Sequence, residues 1–155
     1  MTIDLSLFQT VDEDGNTVDA VKPETKSFSD VEQCIKHHAG KNDTVVDLFV
    51  SMAALGEQWD WYSLYKDWLS QCELVNEWND NRIEDGDGVV PDERPLPVMP
   101  VRPVEVTVEQ WKVSNYKILR EIAYGSYQTQ FDKLYVSDAE WLDYQNLIKD
   151  QYPDK

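Results

Sequence analysis

The chain is poor in the side chains that most often carry chemistry: it has two cysteines and two histidines in 155 residues. Cys34 and Cys72 stand in separate predicted helices and form no C-x-x-C pair, so buried, reduced thiols are expected instead of a metal knuckle or redox couple. His37 and His38 are adjacent, about 100° apart around a helix, and cannot turn both rings toward one metal from one face. No G-x-x-x-x-G-K-[ST] loop, G-x-G-x-x-G turn or G-x-S-x-G elbow occurs. The reading is therefore non-enzymatic, with no cofactor and no catalytic or metal-ligating residue assigned.

Basic residues are scarce as well. Lys and Arg number 14 against 30 Asp and Glu, a formal charge of −16. A field of that sign repels phosphate, so direct nucleic-acid binding is disfavoured, although an acidic surface could itself imitate DNA and block a DNA-binding protein. No apolar run approaches the ~18 to 20 residues of a membrane span, and no membrane association is expected. Residues 1–9 lack the basic start and long apolar stretch of a secretory signal, which predicts synthesis in the cytoplasm. The acidic turns fail the order of a calcium loop: counting from Asp85 the fifth position is Val89, and counting from Asp12 the twelfth is Pro23.

Aromatic residues are plentiful, with six Trp and eight Tyr, each able to bury about 150–250 Å². Ile3, Leu5 and Leu7 alternate with Asp4 and Ser6 and predict a strand over Thr2 to Gln9. A turn at Asp12 to Asn16 and a return strand at Thr17 to Val21 complete a hairpin. Ser29 and Glu32 have capping-box spacing for a helix to about Ala39, stopped by Gly40. Asp43 or Thr44 caps a second, mostly apolar helix through Val45, Phe49 and Leu55. A third runs from Glu57 to about Asn79, where Trp61, Tyr65, Trp68, Cys72 and Val75 recur at spacings of four and three. Such a stripe is either core or a docking face, and Trp61, Tyr65 and Trp68 are candidate interaction residues.

From Asn79 to Glu105 the composition turns acidic and then proline-rich. Pro95 to Pro103 should form an extended, polyproline-like strap, whose groove could be the Trp-rich helix of the same chain. Thr107 and Gln110 open another helix that ends near Gly125. Ser126 caps a short helix carrying Phe131, Leu134 and Tyr135, and Ser137 with Glu140 caps the last, which carries Trp141, Tyr144 and Ile148. Phe131, Leu134, Trp141 and Ile148 are expected to form a small helical core. The fold class is mainly α with a small N-terminal β-hairpin (α+β), in three segments: a body at 1–82, an acidic, Pro-rich linker at 83–105 and a helical module at 106–155.

The segment Ala123-Tyr124-Gly125-Ser126, followed by Gln130, Asp132 and Tyr135 and then by Trp141, Ile148, Lys149, Tyr152 and Pro153, resembles a C-terminal module of small virion and tail-associated proteins of tailed bacteriophages. It departs at Tyr127, where an aliphatic residue is more usual, and in the short segment between Tyr135 and Trp141. The resemblance implies a virion protein made in the host cytoplasm, its partners being other phage structural proteins or copies of itself; the hairpin at Thr2 to Val21, the Pro strap and the two helical units, a body with extended elements, suit a tail-associated adaptor or fibre-attachment role. A tail-fibre assembly chaperone and a DNA-mimicking anti-defence inhibitor are the alternatives. Tyr124 and Trp141 join the candidate interaction residues.

Overall fold

A computed structural model describes residues 3–38, 43–84, 86, 88–125 and 127–154. Among the described residues two short strands and six helices make it mainly helical, an α+β chain with a small N-terminal hairpin. The residues gather into two compact units that interleave along the sequence, Met1–Pro23 with Glu57–Val104 and Glu24–Gly56 with Glu105–Lys155. The segments 1–82, 83–105 and 106–155 divide the chain differently.

The hairpin pairs β1 (Gln9–Val11) with β2 (Thr17–Asp19), antiparallel, with Thr10 opposite Val18. Its turn is organised by Asp12, whose Oδ1 accepts from the backbone N–H of Asp14 at 3.0 Å and of Asn16 at 2.8 Å. The Asn16 N–H, the larger influence, helps hold the Asp12 carboxyl below its usual pKa. The first strand starts later than the alternation at Ile3, Leu5 and Leu7 implies. Residues 5 to 8 form a turn, closed by the Phe8 N–H on the Leu5 carbonyl at 2.9 Å. The inward side chain is Phe8, 0% exposed, while Leu7 is 44% exposed. One aromatic ring buried against tryptophans outweighs the aliphatic alternation.

Helix α1 (Phe28–His38) begins one residue before the predicted Ser29 cap; Ser27 precedes it, with Oγ donating to Asp30 Oδ2 at 2.6 Å. The predicted stop at Ala39 and Gly40 lies outside the described residues. The two helices expected on either side of Gly56 are one, α2 (Asp43–Asp80), 38 residues long. Gly56 serves close approach instead of termination: a Cβ there would lie 2.5 Å from the Lys26 carbonyl oxygen, and the Lys26 N–H donates to Met52 O at 3.3 Å.

The second unit is built on Val31 and Ile35 of α1, Val46, Val50 and Ala53 of α2, and Trp111 and Leu119 from the C-terminal helices, with Phe28, Phe49, Val106, Ile122 and Tyr152 packed around them. Thr107 and Gln110 form the capping box their spacing predicts and open α3 (Val108–Ser114). The helix expected to continue to Gly125 breaks at Asn115, whose Nδ2 donates to Trp111 O at 2.9 Å and whose ψ is 21°. A short amide competing for a helix carbonyl favours such a break. Helix α4 (Tyr116–Tyr124) follows and ends at Gly125, whose φ of 72° suits glycine. Helices α5 (Tyr127–Val136) and α6 (Asp138–Gln151) complete the chain, the latter capped by Ser137 Oγ accepting from Glu140 N at 3.1 Å. The predicted cap at Ser126 lies outside the described residues.

Candidate functional site

Two surfaces stand out, one in each unit. In the first unit the residues after α2 fold back along it. Arg82, just past the helix end, donates through Nε to Asn79 O at 2.9 Å and through Nη1 to Pro91 O at 2.8 Å, and pairs through Nη2 with Glu93 at 2.8 Å. Asn79 then brackets Arg94 as a strand neighbour would, Nδ2 to Arg94 O at 3.0 Å and Arg94 N to Oδ1 at 2.8 Å, with the guanidinium 3.9 Å over the Trp78 ring. Beyond it, Trp68 Nε1 donates to Pro97 O at 2.9 Å, Trp61 Nε1 to Pro100 O at 3.1 Å, and Gln58 Nε2 to Pro103 O at 3.1 Å.

Acceptors every third residue have the period of a polyproline II helix, and the lengths agree. From Arg94 to Pro103 such a helix covers about 28 Å, while α2 rises about 31 Å between Gln58 and Asn79. The strap therefore runs antiparallel to α2 over its whole aromatic stretch. Arg102 fastens the far end: Nε donates to Gln58 Oε1 and Nη1 to the Asp4 carbonyl, both at 2.8 Å, and its charge lies 5.1 Å from the Trp61 ring and 5.4 Å from Phe8.

Three of the candidate interaction residues are thus engaged within the unit. Trp61 is 3% exposed; Tyr65 stacks between Trp61 and Trp68 at 5.3 and 5.6 Å; and both indole N–H groups are taken by strap carbonyls. Tyr62, on the neighbouring face, stacks on Phe8 at 4.5 Å and donates its hydroxyl to Asp19, which also pairs with Lys66 at 2.6 Å. The Lys66 and Tyr62 hydrogen bonds keep the Asp19 carboxyl below its usual pKa, and burial pushes the Tyr62 hydroxyl up. The outward edge of the strap is Val98, Val101 and Val104, 94%, 89% and 85% exposed. This row escaped the sequence reading, although the triplet Pro-Val-x, repeated from Pro97 to Glu105, announces it.

In the second unit several residues of the segment from Ala123 to Pro153 tie its helices together: Gln130 Nε2 donates to Gly125 O at 3.1 Å, Ala123 O accepts from the Tyr144 hydroxyl, and Tyr152 O accepts from Arg120 Nε at 2.8 Å. Ile148 is buried, and Tyr124 closes α4, half-buried. Phe131 and Leu134, expected in the core, are instead 65% and 42% exposed, and Tyr135, one helical turn after Phe131, is 96% exposed. Gln130, Phe131 and Leu134 of α5 and the half-buried Trp141 of α6 line a cleft of about 170 Å³. That is below the 300–1,000 Å³ of a pocket for a drug-sized ligand, and it suits one protruding apolar side chain.

No family model matches the chain, and neither the curated proteins nor the solved structures contain a match. Among the described residues no group of three or more His, Cys, Asp or Glu is placed to hold a metal ion, and no helix is long and apolar enough to cross a membrane. The thiols of Cys34 and Cys72 are both free, half-buried and buried respectively. The periodicity of α5 does not distinguish an inward from an outward apolar face, so the exposure of Phe131 and Leu134 is set by which side of the helix α6 covers.

Proposed function

We propose that this protein is a non-enzymatic structural component of a tailed-phage particle, tail-associated, acting as an adaptor that docks on another structural protein. The observation that carries the docking part is the Phe131, Leu134 and Tyr135 face of α5. Large apolar side chains that exposed contribute little to the fold, and a contiguous apolar surface beside a cleft is the usual form of a protein contact site. The phage setting rests on the resemblance of the module from Ala123 to Pro153. The hydrogen bonds that Gly125, Ala123 and Tyr152 accept from Gln130, Tyr144 and Arg120 tie these helices into a frame that presents the face.

Protein composition of gradient-purified particles tests this reading. Mass spectrometry should find the chain in a fixed ratio to the major capsid protein. Expression during infection with absence from particles would sink the structural role and favour an assembly chaperone.

A further inference from the structure

We propose that the α5–α6 face takes a cationic amphipathic helix from a partner protein, a step that rests on the docking role above and names the chemistry of the occupant. The face has an apolar centre, in which Phe131 and Tyr135 form an i, i+4 ridge beside the cleft closed by Leu134 and Trp141. A helix laid into a groove offers side chains at the same i, i+3, i+4 spacing, one of which fills a cleft of about 170 Å³.

Charge decides among the occupants. Along α5 and α6 the sequence sets Asp132, Asp138, Glu140, Asp143 and Asp150 against Lys133 and Lys149, and the ammonium of Lys133 lies 4.2 Å over the Tyr144 ring. Asp132, Glu140 and Asp143 are exposed. The exposed carboxylates of Glu140 and Asp143 on α6 and the net charge of −16 favour a partner of basic character. A second copy would bring another −16 to the same face, and a nucleic acid would bring phosphates, so both are disfavoured by the sign of the field.

The experiment titrates the full chain, followed by amide NMR, with three synthetic 14-residue probes. One is a leucine and lysine peptide patterned as an amphipathic helix, one replaces lysine by glutamate, and one scrambles the first so that charge is kept and the apolar face is lost. The patterned cationic peptide should shift α5 and α6 amides, and should bind at least tenfold more weakly to a Phe131→Ser, Tyr135→Ser variant of unchanged melting temperature. The single variant Tyr135→Ser, altering a residue with almost no contacts, should give a smaller loss of the same kind if the double variant misfolds. Equal binding of the scrambled peptide, binding of the glutamate peptide, or undiminished binding to the variants would overturn the proposal. So would a dimer of the free chain that the same substitutions dissolve. Absence from phage particles would remove the virion role and leave this titration standing, whereas a failed titration of a confirmed virion protein removes only the cationic partner.

Discussion

Gly56 shows how one residue can carry opposite meanings in sequence and in space. Between two apolar stretches a glycine reads as a helix stop, because it lowers helix propensity by about 1 kcal/mol relative to alanine. In the fold it is buried inside α2, where the Lys26 carbonyl would stand 2.5 Å from any Cβ. The neighbour that gives the glycine its purpose is thirty positions away, and nothing local in the sequence reports it. Gly56→Ala therefore sets about 1 kcal/mol of propensity gain against about 1–3 kcal/mol or more of overpacking against backbone. The variant should melt below the parent in a thermal scan followed by circular dichroism, and a higher melting temperature would contradict the close approach. Phe8 teaches the same lesson, since the strand parity suggested by Ile3, Leu5 and Leu7 yields to a ring that stacks on Tyr62 and meets Trp59 edge-on at 5.4 Å.

The strap and its helix were the most legible pairing. Proline spacing fixes an extended backbone of known pitch, and the Trp stripe on α2 offers indole donors, so contact in cis follows from local rules. The outward valine row needed one further inference: carbonyls at every third residue facing α2 leave the residues after each proline turned away. The break at Asn115 and the exposed face of α5 were less legible, because the first depends on a side-chain amide choosing a helix carbonyl and the second on which flank a neighbouring helix covers. Trp68→Phe tests the strap. It keeps an aromatic ring, though a smaller one, and removes the donor to Pro97 O, so stability in urea should fall by at least about 0.5–1.5 kcal/mol. An unchanged midpoint would mean that the aromatic packing alone holds the strap.

Charge and apolar surface together define what this chain can do. A net −16 discourages self-association and contact with nucleic acid, while α5 exposes a ridge that water solvates poorly. The proposed basic, partly apolar protein partner rests on these two properties. The proposed phage setting rests on the resemblance alone, while the hydrogen bonds from Gln130, Tyr144 and Arg120 tie together the helices beside which Tyr135 stands exposed. The most direct measurement places a benzophenone amino acid at position 135 of the protein in infected cells, irradiates the purified particles and identifies the adducts by mass spectrometry. A covalent link to one virion protein through a lysine- or arginine-rich helix is the predicted result. Adducts only to other copies of this chain, or none at all in particles that contain it, would contradict the docking role of this face.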